Sequence, residues 1–262
     1  MAPPRLTHFL ITGASSGLGS ALAICLAARH HPLTLMGRNG EVLRRVADVC
    51  RRLGAPVEVL CCDVRDEKSM EQGLLSADDR LIVDVVIANA GIGGAAVLAS
   101  VQGEAADLAR EVIDVNLGGT INTVTPLMDR FVARRSGRFV VVSSMAAFEG
   151  LADAPAYAAS KAAVRIYGHG LRRLLAPHGV DVNVVTPGFV ETPMSASLPF
   201  KNPFEWSAKR AAERIVAGIE RNEAEIAFPW QLRLGIAVAG CLPVSIVDRV
   251  LLHARSRLEP RS

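Results

Sequence analysis

The sequence predicts an α/β fold, an open parallel sheet with helices packed on both of its faces. Three observations lead there. Short runs rich in Val, Ile and Leu alternate along the chain with longer Ala- and Leu-rich stretches of helical character. Half of the 262 residues are hydrophobic while only 5% are aromatic, a composition suited to a buried aliphatic sheet under Ala-rich helices. Each strand-like run also stops at small or polar residues, and the informative motifs gather at those carboxyl ends, where an open parallel sheet binds ligands. At this length one domain is expected over residues 1–262.

The first strand, His8 to Thr12, runs into Gly13-Ala14-Ser15-Ser16-Gly17-Leu18-Gly19, and a helical stretch follows from Ser20 to Arg29. Three glycines at a strand–helix junction let the backbone turn tightly and let a phosphate approach the amides of the helix N-terminus, where the dipole favours negative charge. The spacing G-x-x-x-G-x-G departs from the commoner G-x-G-x-x-G fingerprint, and an ordinary turn is the alternative. A second strand, Leu33 to Met36, ends at Gly37-Arg38-Asn39, before an amphipathic helix from Glu41 to Leu53. In a βαβ unit this point lies beside the adenosine ribose of a bound dinucleotide, where an acid would accept from both ribose hydroxyls and an arginine suits a 2′-phosphate. Arg38 stands there without an acid, so NADP is expected over NAD; a solvated loop charge is the alternative.

The third strand, Val57 to Cys61, ends in Cys62-Asp63-Val64, and Asp63 reads either as a partner of the adenine amino group or as a cap of the helix that follows. The fourth, Val83 to Ala88, is a continuous apolar run that stops at Asn89-Ala90-Gly91, small residues that leave room for a ligand or simply form a turn. From Glu104 to Arg135 apolar residues recur at helical spacing, interrupted by Asp114-Val115-Asn116-Leu117-Gly118-Gly119. A mid-helix asparagine followed by two glycines weakens a helix, so Asn116 is expected to serve a hydrogen bond. A fifth strand, Arg138 to Val142, leads to Ser143-Ser144 and then to a helix from Ala156 to Ala176. The sixth, Val180 to Val185, leads to Thr186-Pro187-Gly188 and an irregular stretch through Ser207; a helix from Ser207 to Arg221 and a last strand, Ala224 to Phe228, complete the pattern.

Composition excludes several classes. A net charge of +3, from 29 basic and 26 acidic residues with no basic run interleaved with aromatics, argues against a nucleic-acid partner. The five cysteines, Cys25, Cys50, Cys61, Cys62 and Cys241, lack a C-x-x-C spacing and sit mostly in apolar runs, as expected of reduced, buried thiols in the cytosol. The first residues carry no signal-peptide apolar run, so the chain is expected to start directly with a strand.

Tyr157 and Lys161 lie four residues apart in the predicted helix and therefore share a face. An ammonium beside a phenol favours the phenolate and brings its pKa of about 10 toward working range. Alone the spacing is common, and packing for Tyr157 with solvation for Lys161 is the plainer reading.

Taken jointly, Thr12 to Gly19, Asp63, Asn89-Ala90-Gly91, Asn116, Ser144, Tyr157 with Lys161, and Pro187-Gly188 with Thr192 resemble the short-chain dehydrogenase/reductase superfamily, in its short single-domain branch, over residues 8 to about 192. The resemblance implies a Rossmann-type sheet of about seven strands in the order 3-2-1-4-5-6-7. It implies Tyr157 as general acid/base, Lys161 as the group that lowers its pKa and binds the nicotinamide ribose, Ser144 as the orienter of the substrate oxygen, and Asn116 as support for a water-linked proton relay. Ser144 is preferred to Ser143 for its spacing of thirteen residues before Tyr157. NADP(H) is then expected against Gly13, Ser15, Ser16, Gly17, Leu18 and Gly19, beside Arg38, Asn39, Asp63 and Val64, along Asn89, Ala90 and Gly91, and under Pro187, Gly188, Val190 and Thr192, with Tyr157 and Lys161 also in contact. No metal is implied, and a homodimer or homotetramer is.

These residues predict an NADPH-dependent carbonyl reductase or secondary-alcohol dehydrogenase; a non-catalytic NADP-binding regulatory or scaffold protein is the alternative. Substrate choice is expected to lie in Ile92 to Val97, Phe148 to Ala154 and Phe189 to Trp206, the last an apolar lid through Met194, Leu198, Phe200, Phe204 and Trp206. Such a lining favours a hydrophobic fatty-acyl, sphingoid, steroid or aryl ketone or alcohol. The extension 229–262 departs from the family pattern: Leu234 to Val247 is strongly apolar but interrupted by Pro243 and too short for a span of about 20 residues. It reads as helices packed on the body or across a dimer interface, as a wall for a long substrate, or as an interfacial membrane contact through 230–257 with Arg233, Arg249, Arg255 and Arg257 near anionic headgroups.

Overall fold

The computed structural model describes residues 7–93, 105–198 and 204–249. Strands β1 (Phe9–Thr12), β2 (Leu33–Gly37) and β3 (Val57–Cys61) alternate with helices α1 (Gly17–Ala27), α2 (Gly40–Arg52) and α3 (Glu67–Arg80). After β4 (Val85–Ala88) come α4 (Ala106–Ile113), α5 (Gly119–Arg134), β5 (Arg138–Val142), α6 (Pro155–Leu175) and β6 (Asp181–Pro187). The chain continues through β7 (Val190–Glu191), α7 (Pro193–Ala196), β8 (Trp206–Ser207), α8 (Ala208–Glu220), β9 (Glu225–Phe228) and α9 (Trp230–Ala239). Seven strands form one sheet in the order β3-β2-β1-β4-β5-β6-β9, every neighbouring pair parallel. β9 holds the seventh place because β7 and β8 pair only with each other.

Side chains alternate across these strands, so the sheet feeds two cores. Phe9 and Ile11 of β1 face α1, α2 and α8, with Leu22, Leu26, Leu43 and Ile215 packed against them. Leu10, between them, faces α3, α5 and α6 with Met70, Leu127, Phe131 and Leu171. Polar anchors at the helix starts are local: Asn39 caps α2 through Val42 N, and Asp66 caps α3 through Ser69 N, each cap contributing about 1 kcal/mol. Asp63 is therefore not the cap of α3. Between the helices, Asp78 is buried and accepts from Val83 N at 2.9 Å, from Arg134 at 2.9 Å and from Arg130 at 3.0 Å.

The interruption expected at Asp114 to Gly119 is present as a wide π-type turn, Asp114–Gly118, between α4 and α5, as befits a stretch of poor helix formers. A Cβ on Gly119 would come within 2.6 Å of Val64 Cγ2, so the glycine lets α5 close on the end of β3. The expectation of mostly buried thiols is corrected: Cys50 is buried, but Cys61, the last residue of edge strand β3, and Cys241, beyond α9, are exposed. The 189–206 stretch is not one irregular lid. Trp206 stacks on Phe228 at 4.9 Å and belongs to the body, while Phe204 is exposed. Phe200, residues 94–97 of the expected substrate region, Glu104, and Arg255 and Arg257 lie outside the described residues. Among the described residues no helix is long and apolar enough to cross a membrane.

Candidate active site

A cleft opens at the carboxyl ends of β1, β4, β5 and β6, where the chain after β1 and the chain after β4 lead to helices on opposite faces of the sheet. Its floor is the turn between β1 and α1. Gly13 and Gly17 adopt φ of +66° and +54°, a region costly for side-chain-bearing residues. A Cβ on Gly19 would stand 2.3 Å from Gly13 O, and one on Gly13 would stand 2.8 Å from Ala90 Cα. The glycines thus bring this turn directly onto the loop after β4. That contact is locked by Thr12 Oγ1, which accepts from Asn89 N at 3.1 Å, and by Asn89 Nδ2, which donates to Thr12 O at 3.0 Å. Ser16, at the cap position of α1, makes no side-chain cap bond. The first amides of α1 therefore face the cleft as donors for an anion.

The residues expected to hold a dinucleotide largely converge here. Gly13, Ser15, Ser16, Gly17, Leu18, Gly19, Arg38, Asp63, Val64, Asn89, Ala90, Gly91, Pro187, Gly188, Val190 and Thr192 all line the cleft, together with Ser144, Tyr157 and Lys161. Arg38 is exposed at its edge. Asp63 is bound by Arg65 at 2.7 Å, and that hydrogen bond holds its carboxyl below the ordinary range. Asn39, by contrast, is not among the lining residues, and its Oδ1 caps α2 by accepting from Val42 N at 3.1 Å. The glycine cradle and the uncapped start of α1 fit the pyrophosphate of a dinucleotide.

At the other end stand the two side chains of α6. Pro155 starts that helix at its first position, where the missing N–H costs nothing. Lys161 is buried, and its Nζ donates to Val142 O at 3.0 Å and lies 5.9 Å from the Tyr157 ring centroid. Burial pushes its pKa down to about 8. Burial likewise pushes the Tyr157 phenol up, opposed by a hydrogen bond from Ser144. The influence that lowers the phenol is thus the Ser144 hydrogen bond, and desolvation outweighs it.

The two adjacent serines have different tasks, because consecutive residues at a strand end point to opposite sides. Ser143 Oγ donates to Lys161 O at 2.7 Å and is buried, holding α6 to β5. Ser144 Oγ accepts from Ala146 N at 3.1 Å, which leaves its proton for Tyr157. Asn116 lies behind the cleft wall, fully buried at the π-type turn. Its Oδ1 accepts from Ile92 N at 2.8 Å, and its Nδ2 donates to Ser160 Oγ at 2.9 Å and Ile92 O at 3.2 Å. That side chain staples the loop after β4 to α6.

Sequence reasoning missed Gly37, Cys62, Val115 and Pro193 in the lining and Val142 as the acceptor for Lys161. Gly37, Cys62 and Pro193 adjoin expected residues and follow from the strand-end rule; Val142 acts through its backbone, which leaves no side-chain signal. Gly93 and Met194 fall within expected substrate regions. A Cβ on Gly93 would stand 2.8 Å from Met194 Sδ and 2.9 Å from Tyr157 Cε2, so the three meet at one point. The capping box of α7, with Ser195 N donating to Thr192 Oγ1 at 3.2 Å and Thr192 N to Ser195 Oγ at 3.0 Å, sets Met194 there.

Known proteins resemble this chain in sequence and in fold. A family model described as short chain dehydrogenase matches residues 7–202. An uncharacterized oxidoreductase of Myxococcus xanthus is 36% identical, over 97% of this chain and 100% of its own length. A putative ketoacyl reductase of the monensin polyketide synthase of Streptomyces virginiae is also 36% identical, over 86% of this chain and 81% of its own. Among solved structures, a variant of actinorhodin polyketide ketoreductase with NADPH superposes with a TM-score of 0.77 at 27% identity, covering 87% of this chain and 96% of that one. With a family model spanning most of the chain and a relative matched along its whole length, the chain belongs to the short-chain dehydrogenase family of oxidoreductases.

Proposed function

We propose that the protein is an NADPH-dependent carbonyl reductase acting on a hydrophobic ketone, with Tyr157 as the proton donor. The observation that carries this reading is the Ser144–Tyr157–Lys161 constellation at the end of a cleft whose other end fits a dinucleotide and has Arg38 at its edge to take a 2′-phosphate. NADPH, when bound, supplies the hydride. The carbonyl oxygen lies between the Ser144 and Tyr157 hydroxyls, and Tyr157 gives up its proton to that oxygen as the carbonyl carbon becomes a secondary alcohol carbon. A phenol raised by burial is still protonated at neutral pH, which suits donation and hence reduction. Lys161, with a pKa of about 8, remains largely cationic there and opposes the negative charge left on the phenolate. Asn116 acts by position, fixing Ile92 at the cleft and Ser160 beside Tyr157.

The substrate side is apolar. Met194 and Ile92 line it, and the relatives named above include a ketoacyl reductase and a polyketide ketoreductase. That supports a ketone borne on a long or bulky apolar group. The exposed apolar residues Ile121 of α5 and Ile166 and Leu174 of α6 support a homo-oligomer. The test is Tyr157→Phe, assayed with NADPH and a panel of apolar ketones. Turnover is expected to drop ~10²- to 10⁴-fold, the range of general acid catalysis, with NADPH affinity nearly unchanged; retention of most activity would overturn the assignment.

A further inference from the structure

We propose that Arg65 is a positioning residue for base recognition: it holds the Asp63 carboxylate from outside the cleft, so that one acceptor site is left for the amino group of a bound dinucleotide's adenine. The inference rests on the dinucleotide reading of the cleft. Asp63 lines the cleft, and Arg65 does not. Asp63 is also free of the local duty its position suggests, because Asp66 caps α3 instead.

The grip of Arg65 is two-handed. Its backbone N donates to Asp63 Oδ1 at 3.0 Å, Nε is shared between Oδ1 at 3.1 Å and Oδ2 at 3.2 Å, and Nη2 donates to Oδ2 at 2.7 Å. At the far side of the guanidinium, Nη1 lies 3.5 Å from Glu111 Oε1 on α4. Main chain and side chain of one residue thus fix the plane of the carboxylate. The same hydrogen bonds, with a weaker pull from Arg38, hold the carboxyl below its ordinary range, so at neutral pH it accepts only.

Counting acceptor sites gives the consequence. An ionised carboxylate offers about four lone-pair sites. Three N–H groups of Arg65 occupy it, and among the described residues no other group donates to it. One site remains, on a side chain that cannot turn. It accepts an N–H and repels an oxygen, which matches the amino group at C6 of adenine and rejects the carbonyl that hypoxanthine carries there. A carboxylate released from Arg65 can rotate and meet the N–H at N1 of hypoxanthine, so it discriminates less. The Arg65 and Asp63 side chains are 41% and 29% exposed. A pair that accessible adds little to stability, and what Arg65 supplies is direction.

The experiment is fluorescence titration of the full chain with NADPH and with its reduced hypoxanthine analogue, a binding readout that needs no turnover. The parent is expected to hold NADPH roughly ten- to hundredfold more tightly, the span of one charge-assisted hydrogen bond. Arg65→Ala should cut that ratio roughly fivefold or more, as expected of residues in contact, with a thermal midpoint close to the parent's. Arg65→Lys, which keeps the charge and loses the fork, should cut it nearly as far. In Asp63→Ala the preference should vanish, and adding Arg65→Ala to that chain should change nothing further. Should the alanine variant misfold, Arg65→Lys carries the test. A parent that binds neither dinucleotide overturns the dinucleotide reading and this inference with it. Binding without preference overturns the inference alone. So does an unchanged ratio in Arg65→Ala, an equal weakening of both dinucleotides in it, or a full ratio in Arg65→Lys, which would leave only a charge effect.

Discussion

Lys161 Nζ donates to the main-chain oxygen of Val142 at 3.0 Å, which ties the second turn of α6 to the last residue of β5. The contact holds the ammonium close to the Tyr157 ring and inside the protein, and that burial lowers its pKa to about 8. Two of the lysine's three protons remain free to face the cleft.

A pH dependence follows. The value of kcat/KM for ketone reduction, which reports the free enzyme, is expected to hold at neutral pH and fall as pH rises through about 8, where Lys161 loses its charge. Lys161→Arg, permanently charged, should move that limb upward even if its absolute rate is low. Stability has the opposite sign. The folded pKa lies below the ordinary lysine value of 10.5, so burying the charge costs stability below about 8, and the cost is relieved between about 8 and 10.5. A rate that climbs steadily through pH 9 would contradict the assignment.

Arg38 is expected to set the choice of dinucleotide. Loss of a charge-assisted hydrogen bond to a phosphate costs about 1.5–3 kcal/mol, or roughly ten- to hundredfold in affinity. In Arg38→Ala, NADPH should weaken by that factor while NADH changes little; Arg38→Asp should go further and favour NADH. Equal losses for both dinucleotides in titration would place the 2′-phosphate elsewhere.

Gly93, Met194 and Tyr157 define the width of the substrate side. Adding a methyl in Gly93→Ala brings it within 3 Å of both neighbours, and only Met194, a flexible side chain, can yield. Bulky ketones should lose about tenfold in kcat/KM relative to small ones, and Met194→Ala in the same chain should restore them, as expected of residues in contact. Additive losses in the double variant would show that the two do not share a site.

Asp78 bears on stability alone. Burial would raise its pKa, but Val83 N, Arg134 and Arg130 outweigh that and lower it. Asp78→Asn should destabilise the fold by about 1–3 kcal/mol, because Arg134 and Arg130 lose a charged partner but stay partly solvated, and Arg130 keeps Asp79. The stabilisation in the parent is complete above the unfolded carboxyl's pKa of 3.8 and disappears as pH falls through the lower folded value. Denaturant melts of the two proteins at neutral and acid pH measure it.

Much of the fold was legible in the residues, since parallel strands are continuous aliphatic runs and their helices carry a periodic apolar face. The strand ends marked the cleft because small residues are needed wherever a backbone must approach a ligand. Boundaries slipped by one or two residues: Asp181 to Pro187 replaced Val180 to Val185, since register with β5 and β9 decides where pairing stops. Asn39 reads as a ligand from its position after β2, but an asparagine before a helix is also a cap, and its Oδ1 serves as one. The Tyr157–Lys161 face follows from helical spacing, whereas the direction of their pKa shifts depends on how much protein surrounds them.

By itself, then, the sequence determined the sheet, its helices, the glycine turn and the chemical types at each strand end, because these depend on local pattern and on the period of the backbone. Tertiary structure decided the rest. Which of Ser143 and Ser144 meets Tyr157, that Asn116 is spent behind the wall, that Val142 holds Lys161, and that α9 packs on the cleft rim all depend on groups far apart in the chain. Hydrogen bonds saturate, so a donor used in one place is unavailable in another, and only the folded arrangement shows where each was used.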